Sequence, residues 1–580
     1  MLKNAKGQFV YRLTAPVMTD ALGISSKALQ LQIQSNQNNK LLVKLTADTA
    51  WLNAEEREYP VTIDPEVTTE GGFVNKTIAS YSKRSRASDS VELERVSDLN
   101  CVSNFSVGTI TENGVKTESV AFIRCTNLAY LDMGSYVTKA ELYLNNVDVK
   151  GNIGVYGVQF DGDLSNLHYD SVCALANTVD PLDIKTCSPE DAYITFDVTQ
   201  QVRENYYKGI QLILKEEDEK RSTLYHLPNT AGRPLIAVTY VNQKGISDRF
   251  SSHNQSLGRA GTVYINDLTG LIAVKREDFS YSAQGLSVTA GMNYIPVFSN
   301  KISADDFEIR YQWVNPYSDV LQTGLYTWQR GDGTYVYFTK PSGQYEFEDE
   351  RGEGYKLCSL RSDPYITCPN GDIYRFNDNG SLASIENGDT SIDFTYNETG
   401  LYLTSATDSD GKVYTYQYDA DWNLTSIAYK GGGNTVIDSV SYTYDNQSRL
   451  TSVNYNGEIS SYAYDQNGLL KSVTAPNGYQ MQYTYQNTFR DGVLYASRVS
   501  QITEYSKNGA QGNSMTVSYG PSRTVYTDLN GMQEIIIFDS RGYAITTMNE
   551  DGLAVHQKQD DAGNFLGSTS VVVPTANLLL

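Results

Sequence analysis

The stretch YTYDNQSRLTSVNYNGEISSYAYDQNGLLKSV, residues 442–473, holds the same short pattern twice. In each copy, two aromatic residues separated by one position are followed by Asp, two variable residues and a turn residue, with Leu two positions later. Aromatic residues two positions apart lie on one face of a β-strand. Asp at the first position and Gly at the fourth are typical of a type I turn. The stretch therefore predicts strands with an aromatic face, joined by tight turns.

The same pattern recurs on both sides of this stretch. Earlier copies begin at residues 374, 394 and 416, and weaker copies begin at residues 483, 536 and 557. From one second aromatic residue to the next, the steps between residues 376 and 485 are 20, 22, 26, 20 and 21 residues. Regular periods of this length are typical of repeat architectures. The residues that define the repeat are Tyr374, Phe376, Phe394, Tyr396, Tyr416, Tyr418, Asp419, Tyr442, Tyr444, Asp445, Tyr462, Tyr464, Asp465 and Gly468.

Each repeat is predicted to be one β-hairpin with short strands and a short loop. A single hairpin cannot bury its own aromatic face, so successive copies are expected to stack side by side into one long curling sheet. Such a sheet has an unpaired edge at each end unless another segment covers it. Since the copies are too few to close a shell, we expect further sequence, outside this chain, to continue the sheet.

The rest of the chain also alternates in the manner of β-strands, so the predicted fold class is all-β. N-terminal β-sandwich domains are expected to precede the hairpin sheet. The best helix candidate is ITFDVTQQVRENYYKG, residues 194–209, with Asp197 or Thr199 as N-cap and Gly209 after its C-terminal end. The predicted segments are a partial β domain over 1–67, a jelly-roll β-sandwich over 68–243, a β-rich connector over 244–371, the repeats over 372–567 and a tail over 568–580.

Composition and charge limit the classes of function that the chain can have. The chain has 44 Tyr and 45 Gly among 580 residues, which favours many short strands with aromatic faces and tight turns. Its formal net charge of −22 argues against nucleic-acid binding, because phosphate contacts need Lys and Arg. No apolar stretch of 18 residues is present, so membrane insertion is not expected. The N-terminus does not resemble a signal peptide, and any export signal is expected outside this chain.

The repeats resemble the YD repeats of RHS and teneurin-like proteins. Upstream, residues 51–67 resemble the lead into a DNRLRE-type β-sandwich, residues 68–243 resemble the sandwich itself, and residues 258–282 are similar to the connector before the repeats in Gram-positive members. The resemblance implies a large secreted or cell-wall-associated bacterial protein whose repeats wind into a hollow shell, which encloses a C-terminal effector in polymorphic toxins. Only STSVVVPTANLLL follows Gly567, so a fragment without an effector is expected.

Cysteine and histidine spacing offers few reactive sites. Cys358 with Cys368, and Cys173 with Cys187, are spaced to close disulfides, and free thiols are the equal alternative for both pairs. The four His residues lie far apart in the sequence, with no HExxH or GxSxG motif. Carboxylates are abundant, but they are interpreted as solvated surface. No catalytic residue and no cofactor is therefore predicted.

Two binding hypotheses remain open from the sequence. The residues Asp419-Ala420-Asp421-Trp422-Asn423 begin like a calcium loop but lack its later ligands and are interpreted as a repeat turn. A weaker calcium hypothesis places Asp161, Asp163 and Asp170 around one ion near His168. For sugar stacking, the sandwich candidates are Tyr143, Tyr156, Tyr206, Tyr207 and Tyr225, although most strand tyrosines are packing residues.

The predicted function is a non-catalytic scaffold for extracellular interaction or encapsulation. One alternative is a carbohydrate-binding adhesin module, and another is the shell part of a polymorphic toxin that lacks its effector. The expected partners are an extracellular glycan or protein and further repeats or an effector from a continuing or neighbouring chain. No nucleic-acid partner is expected.

Overall fold

A computed structural model shows an all-β chain with three short α-helices among the residues that it describes. Within these residues, no helix is long and apolar enough to cross a membrane. The described residues are 2–3, 9–13, 17–19, 25–26, 29–37, 40–54, 62–64, 67–68, 76–86, 91–96, 105–125, 135–145, 148–149, 151–187, 193–206, 209–218, 222–225, 235–283, 286–298, 309–323, 326–339, 346–358, 363–431, 435–490, 493–520, 522–539, 541–549, 551, 553–559 and 565–572.

The chain divides into two compact units. The first contains Met1–Leu131 and Tyr136–Val241, and the second contains Asp132–Ser135 and Asn242–Leu580. The largest sheet of the first unit has nine strands, and smaller sheets flank it in the sequence. The nine strands are Lys76–Arg86, Val91–Val96, Phe105–Glu112, Val115–Cys125, Asp148–Val149, Gly151–Gly157, Asp183–Cys187, Ile210–Glu216 and Ser222–Tyr225. The smaller sheets are formed by Tyr193–Asp197 with Ser135–Asn145 and Leu235–Asn242; Leu2–Lys3 with Phe9–Leu13 and Val67–Thr68; Ser25–Ser26 with Val17–Thr19 and Thr62–Asp64; and Leu29–Gln37 with Lys40–Ala47.

The helices of this unit differ in part from the sequence prediction. Residues 194–206 divide into a strand that ends at Asp197 and the helix Thr199–Asn205 with Tyr206 as its C-cap, because the apolar alternation of ITF places that segment in a sheet. Val198 is the N-cap, not the predicted Asp197 or Thr199, and it makes no side-chain capping bond. The other helices are Thr49–Leu52 and Tyr169–Ala176. The latter was not predicted, although His168 and Ser171 form a capping box at its start.

The helix Tyr169–Ala176 covers one face of the nine-stranded sheet. Its buried residues Val172 and Ala176 pack into a cluster with Phe122, Tyr156 and Ile213 from the strands. The hydroxyl of Tyr81, a fully buried side chain, donates to the carbonyl oxygen of Leu164 over 3.0 Å. One core cluster of the first unit therefore lies between this sheet and a helix whose apolar residues recur at i and i+4.

The second unit begins with a five-stranded antiparallel sheet, which we call the connector sheet. Its strands are Ser252–Ser256, Thr262–Asn266, Ile272–Ala283, Leu286–Phe298 and Ile309–Val314, in that order. The two long central strands pair through a bulge between Glu277 and Phe279. The bulge allows both Asp278 and Phe279 to be buried, whereas strict alternation would expose one of them.

Between residues 320 and 572, the strands that the structure describes form a single antiparallel sheet of 24 strands in sequence order, which we call the repeat sheet. Each strand except the first and the last pairs with the strands before and after it. The strands are Val320–Gln322, Thr327–Gln329, Tyr335–Thr339, Glu346–Asp349, Lys356–Cys358, Tyr365–Thr367, Ile373–Phe376, Leu382–Asn387, Thr390–Tyr396, Leu403–Asp408, Val413–Tyr418, Leu424–Lys430, Val436–Tyr444, Leu450–Tyr455, Glu458–Tyr464, Leu470–Thr474, Gln480–Arg490, Val493–Tyr505, Gln511–Tyr519, Arg523–Asp528, Gln533–Phe538, Ala544–Asn549, Leu553–Gln559 and Phe565–Val572.

The N-terminal edge of the repeat sheet is covered by the sheet itself. The backbone N–H of Leu321 donates to Gly380 O over 2.8 Å, and Val320 forms a bridge with Ser381. Gly380 is required here because its φ is +86° and a Cβ would lie 2.3 Å from Leu321 O. The first eight strands therefore close on themselves, which protects one edge from pairing with another chain.

The predicted hairpins are confirmed, and the sheet extends beyond the legible repeats. Strands on both sides of residue 372 belong to the same sheet, so the hairpin architecture starts about 50 residues before the first recognised copy. The predicted segment limits at 67, 243, 371 and 567 stay predictions, as does the resemblance of residues 68–243 to a DNRLRE-type sandwich.

Candidate functional site

The repeat turns are built by their Asp residues. The backbone N–H of Gly468 donates to Asp465 O over 3.1 Å, which is the bond of the predicted type I turn. The side-chain Oδ1 of Asp465 accepts from Asn467 N and Leu469 N at 2.8 and 2.9 Å. Asp419 and Asp445 accept the corresponding bonds in their own turns. The Asp of the repeat thus has a structural role, because it pairs backbone donors that the turn leaves free.

The fourth residue of each of these repeat turns has a left-handed backbone conformation. Gly468 has φ +79° and open space where a Cβ would lie, whereas Ser448 occupies the equivalent position with φ +58°. We expect Gly468→Ala to lower the free energy of unfolding by about 1 kcal/mol and Ser448→Gly to raise it by a few tenths. Urea unfolding of both variants checks this. Equal effects of the same sign would contradict the turn assignment.

In four repeats the second aromatic residue bonds to the preceding repeat. The hydroxyls of Tyr418, Tyr444, Tyr464 and Tyr485 donate to the carbonyl oxygens of Leu403, Leu424, Leu450 and Leu470 over 2.6 to 2.9 Å. Each of these Leu residues lies at a β-bulge, where the register shifts by one residue. A bulge disturbs the ladder of backbone bonds. The tyrosine hydroxyl therefore satisfies a carbonyl there and ties each hairpin to its neighbour.

The sequence Leu-Thr-Ser, which follows three of the turns at residues 403–405, 424–426 and 450–452, forms the bulge. Its Leu is buried, and its Thr is the extra residue of the bulge. Thr404, Thr425 and Thr451 donate their hydroxyls across the bulge to Thr395 O, Gln417 O and Thr443 O over 3.0 to 3.1 Å. The repeat therefore encodes a hairpin, a bulge and a link to the next copy.

The first aromatic residue of each repeat lies deeper. Phe394, Tyr416, Tyr442 and Tyr462 are buried, and the residue between the two aromatics of each pair is exposed. The first pair is reversed, with Phe376 buried and Tyr374 half-buried against Trp328. The aromatic pairs therefore share one face of the sheet, as their i, i+2 spacing predicted.

Part of this aromatic face contacts a buried ion pair of the connector sheet. Arg276 Nη2 lies 2.6 Å from Asp278 Oδ1, and both side chains are only 1% exposed. Tyr442 donates its hydroxyl to Asp278 Oδ2 over 2.8 Å. The guanidinium of Arg276 donates to the hydroxyl of Tyr462 over 3.0 Å, and that hydroxyl donates in turn to Ala260 O over 2.8 Å. Two consecutive repeats thus supply hydrogen bonds to each member of a buried ion pair.

The electrostatics of this contact favour a charged pair held in place. Burial opposes ionisation of Arg276, but the neighbouring Tyr462 and Asp278 raise its pKa overall, so it stays protonated. Burial followed by the nearby carboxylate of Asp278 raises the pKa of Tyr442, so its hydroxyl remains a donor. Burial raises the pKa of Asp278, although the charge of Arg276 and the bonds from Arg276 and Tyr442 act in the opposite direction. The arrangement fixes the connector sheet against the repeat sheet.

A second contact joins the start of the connector sheet to the later repeats. Asp267 Oδ1 accepts from the hydroxyl of Tyr526 over 2.6 Å, and its other oxygen accepts from Ser251. Its backbone carbonyl accepts from Thr524. His253 stacks on Tyr526 with ring centroids 5.0 Å apart. Burial raises the pKa of Asp267, although the bonds from Ser251 and Tyr526 favour its charged form.

A third buried carboxylate lies where the repeat sheet begins. Asp319 Oδ1 accepts from the indole N–H of Trp328 over 2.9 Å, and Trp328 is fully buried. Burial raises the pKa of Asp319 to about 7, although Arg330 and the bonds from Trp328 and Gly331 act in the opposite direction. Asp332 adds to the rise. The Asp319 carboxyl therefore titrates close to neutral pH.

The raised pKa of Asp319 predicts how stability changes with pH. Between pH 4 and 7 the folded chain holds a proton on Asp319 that the unfolded chain has lost, so stability falls as pH rises through this range. The slope from this group is up to about 1.4 kcal/mol per pH unit. We expect Asp319→Asn to remove that contribution in urea unfolding at several pH values. The exposed-turn control Asp389→Asn should keep the slope, and an unchanged slope in Asp319→Asn would contradict the prediction.

Where the structure describes both cysteines of a predicted pair, they do not form a disulfide. Cys358 and Cys368 are not bridged, because Cys358 pairs with Tyr365 and the register places Cys368 three positions beyond the predicted partner. Cys173 is also a thiol, so it forms no bridge to Cys187, whose side chain lies outside the described residues.

The predicted sugar-stacking residues are unsuited to that role where their side chains are described. Tyr143, Tyr156 and Tyr206 are buried, because each packs into the core of its unit. The hydroxyls of Tyr143 and Tyr156 donate to Glu141 and Glu217, each over 2.6 Å. Tyr207 and the side chain of Tyr225 lie outside the described residues. The sandwich tyrosines that can be placed are therefore packing residues.

The predicted calcium carboxylates do not converge. Asp170 forms an ion pair with Lys83 at 2.9 Å, and within the described part of the chain no three His, Cys, Asp or Glu residues group as metal ligands. Asp161 and Asp163 are exposed.

The described histidines are dispersed and have structural contacts. His168 caps a helix, His253 stacks on Tyr526 and His556 bonds to Thr546 over 2.8 Å. His226 lies outside the described residues.

Sequence reasoning missed the buried charges of the connector sheet. The signal was the run KRED at residues 275–278, where strand alternation exposes Lys275 and Glu277 and buries Arg276 and Asp278. A charge at i and its opposite at i+2 in a central strand predicts an inward ion pair. Asp267, Asp319 and Trp328 carried no comparable signal, because their burial depends on distant strands.

Two family models match the repeats. The RHS-repeat model matches residues 396–435, and the teneurin YD-shell model matches residues 433–516. The matched residues include the Tyr–Leu links and the two tyrosines that bond to the buried ion pair.

Curated relatives and solved structures give weaker likenesses. The tRNA nuclease WapA of Bacillus subtilis strain 168 is 26% identical over 263 residues, and tRNA3(Ser)-specific nuclease WapA of Bacillus spizizenii is 26% identical over 262. Each match covers 42% of this chain and 11% of the relative, so the chain spans about a tenth of their length. A crystal structure of TcdB2-TccC3 aligns with 95% of this chain and 40% of that chain at 10% identity and a TM-score of 0.18, too low to support an argument. On the repeat pattern and these two family models, residues 396–516 are RHS repeats of the teneurin YD-shell type.

Proposed function

We propose that this chain is a non-catalytic RHS/YD-repeat scaffold that acts outside the cell or at the cell wall. The observation that supports the proposal is that the buried polar side chains of the connector sheet bond to the repeat sheet. Arg276, Asp278 and Asp267 bond to repeat residues and hold the connector sheet against the repeat sheet. A site that combines a nucleophile, a base and an oxyanion donor needs such groups directed at a substrate. Here they are directed at tyrosines.

Charge supports the same proposal. The net charge of −22 would weaken binding to RNA, whose backbone repels an acidic surface. The nuclease activity in the names of the curated relatives belongs to proteins about ten times longer than the matched part. We therefore assign the matched part to the scaffold of such proteins and propose that activity resides in other segments.

The test is an RNA cleavage assay on the purified full chain. Total tRNA is incubated with the chain after EDTA treatment, and again after Mg²⁺ is restored. The scaffold proposal expects intact tRNA under both conditions. Cleavage that follows the chain through size-exclusion chromatography and is abolished by a point substitution in the second unit would overturn it.

A second candidate function is the shell part of a polymorphic toxin. The observation that favours it is that the curated relatives are named as tRNA nucleases and that the match covers only 11% of their length. The reading frame around the encoding locus distinguishes the candidates. A continuing or neighbouring frame with more repeats and an effector domain supports the toxin shell, and its absence leaves a scaffold for extracellular interaction.

A further inference from the structure

Two neighbouring turns of the repeat sheet depart from the repeat pattern. In the turn at residues 419–423, Trp422 occupies the left-handed fourth position with φ +63°, where the equivalent turns have Gly468 and Ser448. A bulky residue in this region costs about 1–2 kcal/mol. Such strain is maintained where another use of the residue compensates for it.

The preceding turn is one residue longer. Asn397 N donates to Tyr402 O, whereas Asp419 N donates to Asn423 O, so Leu401 is an inserted residue and is 72% exposed. The insertion brings Tyr402 onto the indole of Trp422, with ring centroids 4.3 Å apart and planes 16° from parallel. Trp422 remains 46% exposed in this stack. The two irregularities together therefore produce one exposed aromatic pair.

In two other turns of the sheet, an aromatic ring contacts an arginine of the same chain. Arg449 stacks on Tyr464 at 5.0 Å and pairs with Asp445 at 2.6 Å. Arg541 stacks on Tyr543 at 5.3 Å and pairs with Asp539 at 2.9 Å. In these turns an aromatic ring and a carboxylate hold a guanidinium between them.

The turn that contains Trp422 has an exposed aromatic ring but no arginine. Its Asp419, equivalent to Asp445 and Asp539, accepts instead from the side-chain amide of Asn423 over 2.9 Å. Asn423 stands at the position of Arg449, and Asp421 stands at the position of Arg541. Glu398 in the longer turn and Asp421 are both exposed. In the described part of the chain, none of the cation–π contacts involves Tyr402 or Trp422.

We propose that Tyr402 and Trp422, with Glu398 and Asp421 in the same two turns, bind an arginine side chain of a partner protein. A planar guanidinium stacks on an aromatic face and pairs with carboxylates, and Trp is the strongest such face. The net charge of −22 also favours a basic partner through electrostatic attraction. A neutral sugar would use the aromatic face but would gain nothing from the two carboxylates. The site lies on the exposed turns and is independent of the proposed scaffold function.

The test uses a fluorescein-labelled peptide with three arginines separated by Gly-Ser, and the same peptide with citrulline in place of arginine. Binding to the full chain is followed by fluorescence anisotropy at physiological salt. Trp422→Gly restores the residue that the turn prefers and removes the platform, and Ser448→Gly makes a comparable change in the next turn without touching it. We expect Trp422→Gly to weaken binding of the arginine peptide by about fivefold, which corresponds to the loss of one exposed cation–π contact.

The controls separate this site from general attraction to an acidic surface. Ser448→Gly should bind like the unchanged chain, the citrulline peptide should not bind, and the double variant Glu398→Gln/Asp421→Asn should weaken binding while keeping the urea midpoint. Equal affinity of the Trp422→Gly variant and the unchanged chain would overturn the proposal, as would equal binding of the citrulline peptide. Competition by a neutral oligosaccharide, lost in Trp422→Gly, would assign the platform to glycans instead and also overturn it.

Discussion

Replacing Arg276 with Met is expected to lower the free energy of unfolding of the second unit by about 3–5 kcal/mol. The change leaves the carboxylate of Asp278 buried without its cation, because that carboxylate is 1% exposed and pairs with Arg276 at 2.6 Å. It also removes the guanidinium donor to the hydroxyl of Tyr462. Urea unfolding followed by tryptophan fluorescence measures the loss, since three of the four Trp residues lie in this unit.

Two further variants show whether the loss comes from the uncompensated charge. Lys275→Met removes a cation from the neighbouring position, but its ion pair with Glu277 is exposed, so a change within about 0.5 kcal/mol is expected. In Arg276→Met/Asp278→Leu no charge remains buried, and we expect more than half of the lost stability to return. A double variant as unstable as Arg276→Met alone would contradict this explanation.

Replacing Trp328 with Ala is expected to cost about 3–5 kcal/mol. Trp328 is fully buried among the rings of Tyr355, Tyr374 and Phe376, at 5.1 to 6.4 Å, so its removal leaves a cavity. Its indole N–H also donates to Asp319. Thermal unfolding by circular dichroism and urea unfolding should both report the loss.

The conservative change separates packing from the hydrogen bond. Trp328→Phe keeps most of the apolar contact but removes the indole donor, so that Asp319 keeps the long bond of 3.4 Å from Gly331 N–H. A loss of about 1–3 kcal/mol is expected. Leu401→Ala, on an exposed residue of the same sheet, should change stability by less than about 0.5 kcal/mol. If Trp328→Ala were as stable as Leu401→Ala, the burial of Trp328 within the first strands of the repeat sheet would be contradicted.

The local part of the fold could be predicted because the repeat contains its own physical constraints. Tyr442, Tyr444, Asp445 and Leu450 specify a strand face, a turn and a bulge within nine residues, and each acts on near neighbours. Such constraints depend on the spacing of residue types, which the sequence displays directly. The extension of the same sheet back to Val320 was not predicted, because those earlier hairpins lack the aromatic–Asp pattern.

The candidate site could not be predicted as a whole because its partners are far apart in the sequence. The separation between Asp278 and Tyr442 is 164 residues, and that between Asp267 and Tyr526 is 259. The sequence assigned the repeat tyrosines to packing, which agrees with their burial, but it could not show which strand they pack against. Sugar stacking by Tyr156 failed for the same reason, because burial of a strand tyrosine depends on the layer above it.

The connector sheet is fastened to the repeat tyrosines, and a double-mutant cycle between Asp278 and Tyr442 tests this attachment most directly. Asp278→Asn, Tyr442→Phe and the double variant are compared by urea unfolding, since the two side chains share one buried hydrogen bond of 2.8 Å. We expect the two changes to be coupled by about 1–3 kcal/mol. Effects that add to within about 0.5 kcal/mol would mean that the residues are not in contact, and would contradict the attachment.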